Sequence, residues 1–193
     1  MYKRQPAYRG QQLVDKIYAH AIPLLKKRGI TKCALEVIQE NARAIRVYQR
    51  IGFAIQRNLN CYKGTLSDSD QNSQVKKIDF SELQHLGYPK HNFYSWDHTN
   101  DALAQLGTEY ETYSVVDNEN KMLGYFIINP TNGRLAQVEL EAGSFDTITT
   151  AISQINKEIR IVNVDDRRVD LIESLQSQGL ENTINQYEME MDI

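Results

Sequence analysis

Leu35-Glu36-Val37-Ile38-Gln39-Glu40-Asn41-Ala42-Arg43-Ala44-Ile45-Arg46-Val47-Tyr48-Gln49-Arg50-Ile51-Gly52-Phe53 changes its hydrophobic period part-way along. With Cys33 and Ala34 in front, Leu35, Val37 and Ile38 make residues 32–39 an apolar run of strand length. Being apolar on both faces, the run is predicted to be a central, covered strand. Beyond it Ala42, Ala44, Ile45, Val47, Tyr48 and Ile51 recur at helical spacing. Asn41 suits the N-cap, Gly52 stands where a helix stops, and Phe53 returns to the core. The loose alternation of Phe53, Ile55, Arg57, Leu59 and Cys61 then predicts a second strand over residues 53–62.

Working upstream, Leu13, Val14, Ile17, Ala21, Leu24 and Leu25 share one helical face, ended by Lys26-Lys27-Arg28 and Gly29. Pro23 removes a backbone bond to Ala19, so a kink or a break into two pieces is expected there. Downstream, residues 64–74 are small, polar and aperiodic, and a domain boundary is placed at 64–75. The remaining chain reads as a strand at 76–83, a helix at 92–106, and strands at 111–116, 122–128 and 134–141. A helix at 145–156, a strand at 160–164, a helix at 167–178 and a strand at 182–191 follow. Phe93, Tyr94 and Trp96 are expected in the core of the 92–106 helix. The class is therefore α/β (α+β), with mixed central sheets flanked by helices.

The chain has 193 residues, 41% hydrophobic and 24% charged, which suits one full core or two small ones and excludes collagen, disulfide scaffolds and wholesale disorder. No run of about 18 apolar residues occurs, so no spanning helix is expected. Two cysteines, Cys33 and Cys61, fit free thiols in a cytoplasmic protein. The net charge of −3 conceals a split: residues 1–63 hold 13 Lys and Arg against 3 Asp and Glu, and the rest is acidic. The front half should face something anionic.

The 35–53 stretch also resembles the GCN5-related N-acetyltransferases, whose pattern is roughly L-x-V-x-x-x-N-x-x-A-x-x-x-Y-x-x-x-G-F; Leu35, Val37, Asn41, Ala44, Tyr48 and Gly52-Phe53 fall in register. Upstream, Arg9-Gly10-Gln11-Gln12-Leu13 resembles the family's pyrophosphate loop, although Gln12 and Val14 stand where glycine or a small residue is usual. The resemblance implies acetyl-CoA as cosubstrate and an amine as acceptor. It implies cofactor binding by Arg9, Gly10, Gln11, Gln12, Leu13 and Asn41, with Tyr48 as the general acid, and no metal. A loop entering a helix offers unpaired N–H groups and the positive dipole end to phosphates, and a phenol is protonated at neutral pH. Taken alone, Asn41 is an ordinary cap, Tyr48 a core aromatic, Arg9-Gly10 a turn and His20 a surface residue; only their joint register favours function.

Shifting the sequence by 127 residues places Gly179-Leu180 on Gly52-Phe53, Leu175 on Tyr48, Arg168 on Asn41, Leu171 on Ala44 and Val164 on Val37. Residues 76–193 therefore read as a second, degenerate acetyltransferase-like domain without the site residues, after a partial first domain at 6–63. Residues 1–5 match what the end of a sequencing adapter would encode, and the first domain is expected to lack its N-terminal half. On this reading the intact parent is an N-acetyltransferase and the present piece is impaired, with an open sheet edge that favours a homodimer. The competing readings are a nucleic-acid-binding module built on Lys26, Lys27, Arg28 and Lys32 and on Arg43, Arg46 and Arg50, for which no reader motif appears, and a non-catalytic interaction protein.

Overall fold

The computed structural model describes residues 11–67, 73–105 and 107–193. In chain order it contains α1 (Leu13–Lys27), β1 (Lys32–Ile38), α2 (Ala42–Ile51), β2 (Ala54–Thr65), β3 (Gln74–Ile78), α3 (Phe80–His85), a short 3-10 turn (Trp96–His98) and α4 (Asn100–Gln105). There follow β4 (Glu111–Val116), β5 (Met122–Asn129), β6 (Arg134–Leu140), α5 (Phe145–Ser153), β7 (Glu158–Asp165), α6 (Val169–Ser177), β8 (Glu181–Asn182) and β9 (Gln186–Asp192). The chain divides into two compact units. The first runs to Arg57 and takes in Gln186–Ile193, and the second is Asn58–Asn185.

In the first unit β1 pairs antiparallel with β9, from Lys32 opposite Asp192 to Ile38 opposite Gln186. The C-terminal strand thus supplies Met189 and Met191 to a small core with Val37 and Phe53, on which Tyr18, Ile22 and Tyr48 pack. Lys32 bridges to Glu190 at 2.6 Å and Arg57 to Glu188 at 2.8 Å. The expectation of a covered β1 does not hold: only Val37 is buried, and among the described residues its other edge has no strand partner. Apolarity on both faces registers a tendency to be buried but supplies no neighbour. α1 is one uninterrupted helix through Pro23, not two pieces. Its predicted inner stripe is also displaced, since Ile17 and Leu24 are exposed while Tyr18 and Ile22 reach the core.

The second unit is a mixed sheet. β3–β4, β4–β5 and β5–β6 pair antiparallel, β6 and β7 run parallel, and the latter part of β2 pairs antiparallel with β7. Its larger core joins β4 to β7 with Ile148, Ala151 and Ile152 of α5 and Leu171 and Leu175 of α6. A second cluster puts Leu83 and Leu103 against Tyr125 and Ile127. Gly133 turns the β5–β6 hairpin at φ 67°, and a Cβ there would lie 1.8 Å from the Glu158 carbonyl oxygen. The strand expected over 76–83 ends at Ile78, because α3 begins after Asp79, whose backbone carbonyl accepts from Glu82, and Leu83 turns inward on that helix. The helix expected over 92–106 is a 3-10 turn and the six residues of α4. Trp96 is exposed rather than core, and Tyr94 lies between α3 and the 3-10 turn, in neither.

β2 continues to Thr65 and β3 starts at Gln74, so the polar stretch between them is shorter than 64–75. Its residues 68–72 lie outside the described residues, as do residues 1–5.

Candidate functional site

α1 and α2 of the first unit frame a cavity of about 390 Å³ whose lining includes Gln12, Asp15, Asn41, Arg43, Arg46 and Arg50. Gln12 is the N-cap of α1, with left-handed φ 53° and ψ 30° and no capping bond from its side chain. Among the described residues, the Gln12 side chain leaves the first-turn amides of α1 uncapped. Asn41 caps α2: its Oδ1 accepts the Ala44 N–H at 3.1 Å, which leaves its NH2 group to other acceptors. Arg43, Arg46 and Arg50 recur at helical spacing on one face of α2. Arg50 is held by Asp15, with Nη2 2.8 Å from each carboxylate oxygen. That pairing keeps the Asp15 carboxyl below its usual range, chiefly through the Arg50 hydrogen bond.

Two residues singled out in the sequence, Gln12 and Asn41, therefore line one cavity although they come from different elements. Gln11 is exposed ahead of α1 and Leu13 is its half-buried first residue. Arg9 and Gly10 lie outside the described residues. Tyr48 is not in the cavity lining; it sits on the core face of α2, its ring edge-on to Phe53 with centroids 6.0 Å apart. Tyr18 meets the same Phe53 at 5.4 Å, and burial, with Tyr48 and Cys33 nearby, pushes its phenol up. Asp15 is the lining residue that sequence reading missed. Its signal was an acidic residue in the first turn of a helix, where its pairing with a residue of another element is invisible.

The second unit repeats the local backbone around α2. Arg168 opens α6 with φ −84° and ψ 59°, against φ −84° and ψ 61° at Asn41. The bonds Asn41 N–H to Ile38 O, Ile45 N–H to Asn41 O and Phe53 N–H to Tyr48 O recur as Arg168 to Asp165, Ile172 to Arg168 and Leu180 to Leu175. The side chains do not repeat. Arg168 is buried, donating to the Val138 carbonyl at 2.6 Å and lying 3.3 Å from Glu139. β6 and β7 pair at Arg134 opposite Arg160 and Leu135 opposite Ile161. Beyond this pairing the Val138 N–H donates to Tyr94 Oη at 3.1 Å. Burial pushes the Tyr94 phenol well above its usual range, so it stays protonated as a donor. His91 and Arg168 complete the surround of the Glu139 carboxylate.

Among the described residues no group of three or more His, Cys, Asp or Glu is placed to hold a metal. No helix among them is long and apolar enough to cross a membrane.

Residues 5–53 match the family model described as the acetyltransferase (GNAT) family. The fold of the whole chain, a mixed sheet flanked by helices, is similar to that of solved GNAT structures. A GCN5-related N-acetyltransferase from Sphaerobacter thermophilus matches with TM-score 0.65 at 11% identity, over 97% of this chain and 70% of that one. One from Anabaena variabilis matches with TM-score 0.61 at 15% identity, over 96% of this chain and 52% of that one. One from Kribbella flavida gives TM-score 0.57 at 11% identity, over 82% and 67%. This chain thus spans only about half the Anabaena protein. No curated protein matches the sequence.

Proposed function

We propose that the α1–α2 cavity of the first unit binds acetyl-CoA and that the protein transfers its acetyl group to an amine. The observation that carries this is the meeting of Gln12, at the start of α1, with Asn41 and three arginines of α2 around one cavity. A helix N-terminus and guanidinium groups together suit phosphates. The residues fit the cofactor: the α1 amides and the α2 arginines for its phosphates, and the Asn41 amide for the pantetheine arm, with Arg9, Gly10, Gln11 and Leu13 contributing from the loop and first turn. When bound, acetyl-CoA supplies an acetyl group already activated as a thioester. Tyr48 Oη is assigned to hold the proton that the departing thiolate requires. Residues 6–63, joined by β9 from the C-terminal end, then form part of a catalytic GNAT domain, and the rest of 76–193 a degenerate second one without the counterparts of Asn41 and Tyr48. The free thiols Cys33 and Cys61 support a cytoplasmic setting.

Two measurements test the proposal. Acetyl-CoA at 100 times its Kd should stabilise the chain by about 2.7 kcal/mol, read as a raised Tm. Thiol release over a panel of small amines, amino acids and lysine peptides then reports transfer. A Tm unmoved by acetyl-CoA, with no thiol released from any acceptor, rejects the proposal.

A further inference from the structure

Lys63 on β2 stands directly opposite Arg160 on β7, and Arg160 directly opposite Arg134 on β6. Residues opposite one another share a face, and neighbouring strands lie about 4.8 Å apart, so three cations form one row across the sheet of the second unit. Like charges in that relation destabilise a sheet. Other cations of the unit avoid this: Lys77, Lys90, Arg167 and Arg168 each bridge to a carboxylate. Lys63 and Arg160 are exposed and, among the described residues, neither is ion-paired. The row is held in register, because the Arg160 N–H donates to the Gly133 carbonyl at 3.0 Å where Gly133 turns beside β7.

The surroundings add neutral donors. Asn132 shares an open cavity of about 630 Å³ with Lys63 and Arg160, and its Oδ1 accepts the Arg134 N–H at 3.0 Å, so its NH2 group remains a donor. Arg134 Nε is buried without a hydrogen-bond partner, and Arg134 Nη2 is 3.8 Å from Asp97, beyond bonding reach. Burial raises the Tyr110 phenol against the pull of Arg134 and Arg160, so it stays protonated beside them. Carboxylates bound the row: Asp97 at the Arg134 end, Glu181 opposite Lys63 at the other, and Glu158, engaged by the Thr65 hydroxyl, in the cavity wall. A run of phosphates laid along this face would meet them, whereas one compact anion over Arg160 would not. We propose that the row binds a single phosphate group, as inorganic phosphate or as the monoester of a small molecule. Arg160 supplies the guanidinium fork at the centre, Lys63 and Arg134 flank it, and Asn132 donates from the turn. The site shares no residue with the α1–α2 cavity and does not depend on the acetyl-CoA reading.

Amide shifts of the full chain, followed by NMR during titration with sodium phosphate and with glycerol 3-phosphate at constant ionic strength, test the site. Either ligand should give saturable shifts at Lys63, Asn132, Arg134 and Arg160, and the tighter of the two identifies the source of the phosphate. Arg160→Gln should weaken binding at least about tenfold. Arg160→Glu should abolish binding and yet melt above the wild type without ligand, because it turns two like-charge oppositions into opposite-charge ones. Shifts that chloride reproduces, shifts confined to α1 and α2, or binding undiminished in Arg160→Gln overturn the proposal and leave the acetyl-CoA reading intact. An Arg160→Glu protein that melts lower shows that the row serves the fold, and overturns it as well. A single-stranded oligonucleotide that binds more tightly than either phosphate, and through Arg160, overturns it in favour of a nucleic-acid surface.

Discussion

Arg50 engages both carboxylate oxygens of Asp15, with Nη2 2.8 Å from each and Nε 3.0 Å from Oδ1, tying the last turn of α2 to the first turn of α1. The Asp15 carboxyl is held below its ordinary value chiefly by the Arg50 hydrogen bond. A carboxyl depressed in the folded state stabilises it fully above the ordinary aspartate range, and the contribution disappears as pH falls through the depressed value. Both partners are partly exposed, so the effect is small and salt-sensitive. Wild type should therefore melt above Asp15→Asn at pH 7, and the gap should close below about pH 4. Calorimetry across that range checks it; a gap that widens on acidification contradicts the assignment.

Met189 is fully buried in the first unit, contributed by the C-terminal strand to a core otherwise built from Val37, Phe53 and their half-buried neighbours. A truncation there leaves a cavity that so small a cluster has few side chains to refill. Met189→Ala should cost about 2–5 kcal/mol. Hydrogen exchange resolves where: amides of β1 and α2 should lose protection first, and β4 to β6 should keep theirs. Uniform loss across both units would contradict a core that belongs to the first unit.

The segment from β1 to Phe53 was readable because every local signal agreed: the change of period, the Asn41 cap, and Gly52, which has φ 120°. The hairpin strands of the second unit were readable for the same reason, their turns marked by Asp117 to Asn120 and by Asn129 to Gly133. α3 escaped because Asp79 and Glu82, a helix-start spacing, were absorbed into an apolar alternation that looked like strand. Tyr94 was assigned to a helix core because an aromatic run carries no mark of its partner, which is Val138, 44 residues away. The cavity was half legible. Gln12 and Asn41 came from motif register, but the Asp15–Arg50 clasp depends on how two helices meet, and sequence spacing within either helix is silent on that.

Arg168 reaches three acceptors: the Val138 carbonyl at 2.6 Å, Tyr94 Oη at 3.2 Å and the Glu139 carboxylate at 3.3 Å, the last shared with His91. Removing one member of a buried ion pair leaves the other charged without its counterion, which costs about 3–5 kcal/mol. Arg168→Met should fall in that range by urea denaturation. Arg168→Met/Glu139→Gln should recover part of the loss, because the stranded carboxylate goes with it. If the double variant is no more stable than the single one, Glu139 is not the group that Arg168 compensates.

Tyr48 poses the sharpest question about the proposed chemistry, because its ring packs on Phe53 and it stands outside the cavity lining that holds Gln12 and Asn41. As a core aromatic it contributes through its ring, which phenylalanine reproduces. As the general acid it contributes through Oη alone, which phenylalanine deletes. Tyr48→Phe in a transferring form of the protein should therefore lower kcat by about 10²–10⁴-fold, the usual worth of a positioned acid, while acetyl-CoA affinity and Tm stay near wild type. Tyr48→Leu would also lose the edge contact with Phe53 and should lower Tm. Turnover that survives in Tyr48→Phe assigns the residue to packing and moves the search for the acid to other groups, of which Tyr18, sharing Phe53 from α1, lies in the same cluster.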